Sequence, residues 1–322
     1  MSNITIWLDL DPDKVDVSYL QNKFKEDGYN LIAEQIDFAD EDKTIEMGMK
    51  ADAVISSSEP WNERTLSAVK GQVKYIVRYG AGLDNIDLPF AASVGIPVGN
   101  VPGANAAAVA ETALLHILNL GRRFTTCVDG VSNGVWPSTV TGNELDGKTV
   151  GLLGYGNIGR QLVRMMQGFD VNVLVYDPYL RDRSDANDRL HFVGSAEEVF
   201  RASDIISLHI PLTDETHGSI NKEKFALMKP TAYLVNTCRG GVIDEADLIE
   251  AVTSGEIAGA GLDVLVHEPP EKDDPLLHLP NVFVTSHMGA ASMESEYRSQ
   301  VIIAKCIEEY FAGKMPYNVK NM

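Results

Sequence analysis

The sequence has few cysteines and no long apolar run. Its three cysteines, Cys127, Cys238 and Cys306, are too few and too far apart for a disulfide framework or a cysteine metal site. No apolar stretch reaches the roughly 20 residues that a membrane-spanning helix needs. No basic start followed by an apolar leader opens the chain. We therefore expect a cytoplasmic protein without a bound metal.

Positive charge is also scarce. Lysine and arginine number 27 against 46 acidic residues, a formal net charge of −19. This balance disfavours nucleic acid or an anionic membrane as a partner. A small anionic ligand would have to be held by local cations and backbone amides. The length of 322 residues and the apolar content of 44% are ordinary for a protein of about two domains.

One group of glycines is informative. Gly154, Gly156 and Gly159 stand between an apolar run that predicts a buried strand and a segment that predicts a helix. Such a turn lets the backbone approach a pyrophosphate, which then lies at the positive end of the helix. Asn157 and Ile158 lie inside the turn. Glycines alone also mark ordinary turns, so the signal depends on the strand and helix around them.

An acidic residue closes the next apolar run. Asp177 follows Val171–Tyr176, and a carboxylate there accepts hydrogen bonds from the adenosine ribose. It would repel the 2′-phosphate of NADP, so the sequence favours NAD. Arg181 and Arg183 are close enough in sequence to hold such a phosphate, which keeps NADP open. Taken alone, Asp177 is also a common turn residue before proline.

Strands and helices alternate along most of the chain. In the first hundred residues we predict strands at 4–8, 53–56, 73–77 and 96–98. A long apolar helix follows at 103–122, and six further strands lie near positions 150, 173, 205, 233, 258 and 282. The last helix, 294–311, is too short to form a domain. We therefore predict an α/β fold with two doubly wound parallel sheets, in which a Rossmann domain, 102–291, is inserted into a smaller flavodoxin-like domain, 1–101 plus 292–322.

Three polar residues follow separate strands of the predicted Rossmann sheet. Arg239, Glu268 and His287 lie at strand ends where open α/β sheets place ligands. Reduction of a 2-keto acid needs a hydride on carbon and a proton on oxygen. Histidine suits the proton transfer, a carboxylate stabilises its imidazolium, and arginine binds a substrate carboxylate. Singly, each residue is more often a surface or turn residue, so the prediction depends on the three together.

The chain resembles the D-isomer-specific 2-hydroxyacid dehydrogenases from about Val73 to Ala291. The resemblance rests on segments 78–87, 100–105 and 109–111, the glycine turn, and the three strand ends that carry Arg239, Glu268 and His287. It implies that His287 is the acid/base, Glu268 its partner and Arg239 the substrate-binding arginine. It further implies a homodimer formed through the cofactor domain.

The resemblance also implies binding residues. The loop Gly80-Ala81-Gly82 would hold the substrate carboxylate with its amides, as would Arg239 with its side chain. Asp263 would contact the nicotinamide carboxamide, and Val109 would lie against the nicotinamide ring. The full set implied for NAD is Val109, Gly154, Gly156, Asn157, Ile158, Gly159, Asp177, Ile210, Pro211, Thr216, Thr237, Cys238, Arg239, Asp263, His287, Gly289 and Ala290.

One loop in the first hundred residues bears on the identity of the substrate. Some relatives that act on 3-phosphoglycerate carry an arginine just after the strand equivalent to 53–55. Here that stretch is Ser56-Ser57-Ser58-Glu59-Pro60-Trp61, and Glu59 would oppose a phosphate. Trp61 is interpreted as either an apolar wall or a core residue. A small, uncharged 2-keto acid is favoured, with D-3-phosphoglycerate as the alternative.

Two other functions remain open from sequence. A non-enzymatic NAD(H)-sensing protein of the same fold would keep similar residues. An amino-acid dehydrogenase would need a lysine at the site, and the three strand-end segments contain none. Cys238 lies beside Arg239, so its oxidation would disturb the site, although a buried and inert thiol is the simpler interpretation. Of the other histidines, His116 is predicted to be in the core and His209 to be structural.

Overall fold

The computed structural model describes residues 4–322, which divide into two units. The first unit contains residues 4–105 and Ala291–Met322, and the second contains Ala106–Ala290. In the structure, the first boundary between the two units follows Asn105, four residues later than the boundary predicted from the sequence after Val101. Val101 and Ala104 are buried in the same apolar cluster as Ile303 and Ile307, which explains why they stay with the first unit.

The first unit is a five-stranded parallel sheet with the strand order β2-β1-β3-β4-β5. This is the flavodoxin-like order. Its strands are β1 (Thr5–Leu8), β2 (Asn30–Ala33), β3 (Ala53–Ser56), β4 (Tyr75–Arg78) and β5 (Val98–Gly99). Its helices are α1 (Ser18–Glu26), α2 (Glu41–Gly48), α3 (Glu63–Ala68), α4 (Leu88–Ser93) and, from the end of the chain, α11 (Met293–Phe311).

Two apolar clusters cover the faces of this sheet. On one, α1 and α11 pack through Leu20, Phe24 and Ile303 against β1 and β3. On the other, Trp7 and Trp61 are fully buried, with ring centroids 6.2 Å apart. Trp61 is therefore a core residue, and the interpretation of it as a ligand wall is wrong.

The second unit is a seven-stranded parallel sheet with the order β12-β11-β10-β9-β6-β7-β8. Numbered within the unit, the strands run 3-2-1-4-5-6, the Rossmann order, with a seventh at the edge. They are β6 (Thr149–Leu153), β7 (Asn172–Tyr176), β8 (Leu190–Phe192), β9 (Ile205–Leu208), β10 (Tyr233–Asn236), β11 (Gly259–Leu262) and β12 (Val282–Val284). The helices are α5 (Ala106–Arg122), α6 (Phe124–Ser132), α7 (Asn157–Met165), α8 (Ala196–Ala202), α9 (Lys222–Phe225) and α10 (Glu245–Ser254).

The predicted fold class of two parallel α/β sheets is confirmed, with several corrections. The second sheet has seven strands, because the three-residue β8 adds to the predicted six. In the first unit, β2 and α2 were not predicted. Helix α6, which follows α5 directly, was also not predicted. All seven strands of the second sheet run parallel, so their carboxyl ends form one edge.

Candidate active site

His287 and Glu268 meet at the carboxyl edge of the second sheet. His287 follows β12, and its Nδ1 lies 2.6 Å from Glu268 Oε2. The other carboxylate oxygen of Glu268 accepts the Leu265 N–H at 2.8 Å, which fixes the carboxylate plane. Because a carboxylate only accepts hydrogen bonds, the proton of the neutral ring is assigned to Nδ1 and Nε2 remains for proton exchange. The His287 side chain is 50% exposed, so a ligand can reach it.

The backbone of His287 is held in an unusual conformation. Its φ of 53° lies in the left-handed region, which L-residues seldom occupy and which is often retained at functional sites. The His287 N–H donates to the carbonyl of Asp263 at 2.8 Å. The Asp263 carboxylate accepts the N–H groups of Met288 and Gly289 and the hydroxyl of Thr285, at 3.0, 2.7 and 2.6 Å. Asp263 thus braces the turn that carries His287.

The family resemblance implies another role for Asp263, a contact to the nicotinamide carboxamide. The structure shows its two oxygens already accepting three hydrogen bonds from the protein. A carboxylate has about four acceptor positions, so one further donor can be accommodated. Thr285 also contacts His116 Nε2 at 3.1 Å, and His116 is 3% exposed, as expected for a core residue. Burial lowers the pKa of His116.

Arg239 follows β10, the strand next to β11. Its Nη1 donates to the Cys238 carbonyl at 2.6 Å. Asn236 fixes this loop, because its amide donates to the Arg239 carbonyl at 2.9 Å and its oxygen accepts the Cys238 N–H at 3.0 Å. A Cβ on Gly240 would lie 2.0–2.4 Å from the backbone of Leu265 and Val266. Gly240 therefore allows the Arg239 loop to lie against the segment that leads to Glu268.

The Cys238 thiol is hydrogen-bonded and has a raised pKa. Its Sγ donates to Asn236 Oδ1 at 3.0 Å, and burial raises the pKa of the thiol to about 11. The raised pKa disfavours the thiolate at neutral pH, and the Cys238 side chain is partly buried. His209, predicted to be structural, has its pKa lowered to about 4 by burial, and its Nε2 lies 3.0 Å from the Ser207 hydroxyl.

The glycine turn has the features that a dinucleotide phosphate requires. Helix α7 begins after Gly156 without a capping side chain, so its first N–H groups are available to an anion. A Cβ on Gly154 would lie 2.3 Å from the His209 carbonyl, and one on Gly159 would lie 2.7 Å from the Gly154 carbonyl. At Gly156 a Cβ would meet nothing within 4 Å, which leaves open space above the helix start.

Asp177 is tied to the same turn. Its Oδ2 accepts the Tyr155 N–H and its Oδ1 accepts the Tyr179 N–H, both at 2.9 Å. The carboxylate keeps acceptor capacity for a ribose hydroxyl. Thr237 adds a buried hydroxyl that has no hydrogen-bond partner within residues 4–322. These observations fit a bound dinucleotide.

The second unit contains all the residues implied for the cofactor, and most of them share its carboxyl edge. Val109 lies on α5, and its Cγ2 would be 3.7 Å from a Cβ on Gly289. Ala290 ends the unit. Ile210, Pro211 and Thr216 lie in the connection after β9, where the Thr216 hydroxyl donates to the Pro211 carbonyl at 2.6 Å.

Gly80, Ala81 and Gly82 lie in the first unit, in the loop after β4. The Gly80 carbonyl accepts the Val101 N–H at 3.0 Å, and the Ala81 carbonyl accepts the Asn100 amide at 2.6 Å. The N–H groups of Ala81 and Gly82 have no acceptor in the part of the chain that the structure describes. The loop is thus anchored through its carbonyls and offers two neighbouring donors, which suits a carboxylate.

Within the described chain, no group of three or more His, Cys, Asp or Glu side chains is arranged to hold a metal ion. Across residues 4–322, no helix has the length and apolar character needed to cross a membrane.

The fold and the site together are those of an α/β protein that binds a nicotinamide dinucleotide. The features that indicate this are the Rossmann sheet, the uncapped helix after the glycine turn, the acidic residue at the end of β7, and the histidine–carboxylate pair on one sheet edge. The family model for the NAD-binding domain of the D-isomer-specific 2-hydroxyacid dehydrogenases matches residues 114–289, more than half of the chain. The chain belongs to this family.

Named relatives include dehydrogenases and reductases. The chain is 37% identical over 282 residues to D-3-phosphoglycerate dehydrogenase of Methanocaldococcus jannaschii. This alignment covers 87% of this chain and 54% of the relative. It is 35% identical over 283 residues to glyoxylate reductase of Korarchaeum cryptofilum, covering 86% and 85% of the two chains. A solved acyclic imino acid reductase in complex with NADPH and D-Arg superposes with a TM-score of 0.88 at 29% identity, covering 98% of this chain and all of the other. The chain thus spans about half the length of the phosphoglycerate dehydrogenases that it matches.

Proposed function

We propose that this protein is an NAD-dependent D-2-hydroxyacid dehydrogenase, which reversibly reduces a small 2-keto acid. The observation that carries the proposal is the 2.6 Å contact between His287 Nδ1 and Glu268 Oε2, on a turn held in the left-handed conformation. A histidine oriented by a carboxylate is suited to exchange a proton with a substrate oxygen. Family membership supports the same activity.

Each residue has a definable part in this reaction. When bound, the reduced nicotinamide supplies a hydride to the keto carbon. His287 Nε2 gives its proton to the carbonyl oxygen, and Glu268 stabilises the imidazolium that precedes this transfer. The Arg239 guanidinium binds the substrate carboxylate and polarises the carbonyl. The N–H groups of Ala81 and Gly82 are proposed as further carboxylate donors. In hydroxy-acid oxidation the same atoms act in reverse, with His287 as the base.

We propose NAD in preference to NADP as the cofactor. Asp177 lies at the end of β7 and accepts two backbone N–H groups, so a 2′-phosphate beside it would meet a fixed negative charge. Arg181 and Arg183 are exposed, and the Arg183 guanidinium lies 6.0 Å from the centre of the Phe192 ring. The imino acid reductase was solved with NADPH and a formate dehydrogenase of Staphylococcus aureus with NAD, so both dinucleotides occur in structures similar to this one.

The proposed substrate is a small 2-keto acid, as the similarity to a glyoxylate reductase over most of both chains suggests. D-3-Phosphoglycerate is the second candidate, and one observation supports it. Glu59, expected to repel a phosphate, is fully buried and presents no charge to a ligand. That argument against a phosphate is therefore wrong.

We also propose that the protein forms a homodimer and acts in the cytoplasm. Helix α6 and the residues after it present an apolar patch, with no buried residue in the helix. The α6 patch consists of Phe124, Val128, Val131, Val135 and Trp136, which are 63, 44, 51, 59 and 80% exposed. An exposed cluster of this kind is typical of a protein–protein contact.

The test is NADH oxidation, with NADPH in parallel, across glyoxylate, hydroxypyruvate, 3-phosphohydroxypyruvate, pyruvate and branched 2-keto acids. We expect turnover with NADH on at least one acid and a loss of about 10²–10⁴-fold in kcat for His287→Ala, the range for a general acid–base residue. His191→Ala, at an exposed histidine of the same unit, is the matched control. Tight NADH binding without turnover on any acid would instead support an NAD(H)-sensing role.

A further inference from the structure

The segment after α11, residues 316–322, lies along the edge of the first sheet. Strand β5 has two residues and is the last strand in the order of that sheet. Val319 pairs with Gly99 in an antiparallel bridge, and the Lys320 N–H donates to the Val98 carbonyl at 2.8 Å. A short edge strand has few hydrogen bonds of its own, so this segment covers β5 and holds it in place.

Asn318, within this segment, is a buried residue that uses both polar groups of its side chain. It is 1% exposed. Its amide donates to the Asn100 carbonyl, and its Oδ1 accepts the Cys306 thiol at 3.2 Å. Burial raises the pKa of the Cys306 thiol to about 11, so the thiol keeps its proton for this bond at neutral pH. Asn318 therefore ties the residue after β5 to helix α11.

Asn100 continues the connection from β5 to the loop Gly80–Gly82. Its side-chain amide donates to the Ala81 carbonyl at 2.6 Å. The next residue, Val101, donates its N–H to the Gly80 carbonyl at 3.0 Å. Both bonds end on carbonyls of the loop, so they fix the loop without occupying its two available N–H groups.

The rest of the Asn100 side chain indicates that the bond to Ala81 is its main contribution. Asn100 is 6% exposed, and its Oδ1 has no hydrogen-bond partner within residues 4–322. A buried acceptor without a partner lowers stability. The presence of asparagine at this position is therefore better explained by the bond from its amide to the loop than by stability.

We propose that Asn318 and Asn100 form a relay that positions the loop Gly80–Gly82. The Asn318 amide fixes the backbone of Asn100, and the Asn100 amide fixes the loop through Ala81. Both are positioning residues for the two N–H groups of the loop. Their effect on substrate binding rests on the proposed function, because it assumes that this loop binds the substrate carboxylate, whereas the mechanical link from Asn318 to the loop does not.

Asn321 provides a matched control in the same segment. Its Oδ1 accepts the Val98 N–H at 2.8 Å, and its amide donates to the Ile96 carbonyl at 2.9 Å. Its side-chain bonds end on residues 88–98, and within residues 4–322 none reaches Asn100 or the loop. A purely structural role of the segment predicts equal effects of N318A and N321A, whereas the relay predicts an effect on the loop from N318A alone.

Hydrogen exchange resolved to single amides gives a readout that is independent of activity. The Val101 N–H reports on the loop because it is bonded to the Gly80 carbonyl. We expect N318A to speed its exchange about threefold or more, since the Asn100 backbone loses a hydrogen bond. N321A should leave the exchange of Val101 unchanged. Equal exchange at Val101 in the two variants, whether raised or unaltered, would overturn the relay.

Steady-state kinetics test the effect on substrate binding. We expect N318A and N100A each to raise the keto-acid KM about tenfold and to keep kcat within about twofold, because a carboxylate contact is made equally in the ground state and the transition state. The KM for NADH, whose implied contacts all lie in the second unit, should stay unchanged, and N321A should keep the keto-acid KM of the unaltered protein. An unchanged keto-acid KM in N318A and N100A would overturn the positioning role.

The double variant N318A/N100A tests whether the two residues act in series. The relay predicts that N318A adds no more than about twofold to the keto-acid KM of N100A, because the bond from Asn100 to the loop is already lost. Effects that multiply in the double variant would contradict the relay. Asn318→Leu keeps the side-chain volume without the hydrogen bonds and takes the place of N318A where the alanine variant does not fold. Absent turnover in the unaltered protein would count against the proposed function alone, since the exchange experiment needs no substrate.

Discussion

His287 combines a reactive side chain with a backbone conformation that L-residues rarely adopt. The left-handed region costs roughly 1–2 kcal/mol for such a residue, and at His287 three hydrogen bonds to the Asp263 carboxylate offset this cost. Glycine would adopt the same turn without strain. The presence of histidine there is therefore best explained by the proton chemistry of its ring.

Gly240 is a residue whose importance only the folded chain reveals. An added Cβ would lie 2.0–2.4 Å from the backbone of Leu265 and Val266, closer than real contacts allow. We expect Gly240→Ala to separate the Arg239 loop from the Glu268 segment, lowering kcat/KM about 10²-fold, as small displacements at active sites do. The measurement is steady-state kinetics beside an unfolding curve.

Gly168→Ala is the matched control for this change. Gly168 lies in the same unit, is exposed, and would place a Cβ in open space. Wild-type kinetics in Gly240→Ala would show that the close approach of the two loops has no bearing on the site.

Sequence alone predicted which candidate residues follow the strand ends but not how they are held. Arg239, Glu268 and His287 were chosen because each follows a strand, and parallel strands end at one edge. The close approach at Gly240 and the bracing by Asp263 depend on contacts between loops, which no local pattern contains. The burial of Glu59 was missed for the same reason, since it follows from how the folded chain encloses this carboxyl group beside Trp61.

At the scale of elements, the turn between β12 and α11 depends on one carboxylate. Asp263 is 2% exposed and accepts three hydrogen bonds from residues 285–289. In Asp263→Asn one oxygen becomes an N–H₂ group that faces N–H donors. We expect a loss of stability of about 1–3 kcal/mol, as for unsatisfied buried groups, and a lower kcat because His287 is displaced.

Thr285→Val is a milder test of the same bracing role. It removes the hydroxyl hydrogen bond to Asp263 and leaves the hydrogen bonds from the N–H groups of Met288 and Gly289. It should give a smaller loss in both chemical denaturation and turnover. An Asp263→Asn protein as stable and active as the unaltered one would rule out the bracing role.

The elements predicted correctly are those with a strong local signal. The runs at 150, 173 and 205 are apolar and β-branched, and the structure has β6, β7 and β9 there. Those that were missed have weak patterns. Strand β2 is only partly buried, and α2 is a charged helix with few apolar positions. Strand β8 has three residues at the sheet edge and is fixed by pairing with β7, which sequence periodicity does not reveal.

At the scale of the whole molecule, the candidate functional residues are distributed over both units. The second unit carries the glycine turn, Asp177 and the His287–Glu268 pair, and the first carries the Gly80–Gly82 loop. The carboxyl edge of a parallel sheet provides the position in both cases. In each unit, strand order follows a doubly wound pattern, so functional residues far apart in sequence come to the same edge.

The α6 patch gives the last prediction. It places five apolar side chains in solvent on a chain whose net charge of −19 otherwise opposes self-association. We expect sedimentation velocity to show a dimer, and Trp136→Glu with Val128→Lys to shift it to monomer, because charges would be buried in the contact. Phe38→Glu, at a residue 62% exposed in the first unit, is the control and should leave the dimer intact. A monomer in the unaltered protein at micromolar concentration, or a dimer that survives both changes in α6, would exclude this patch as the contact.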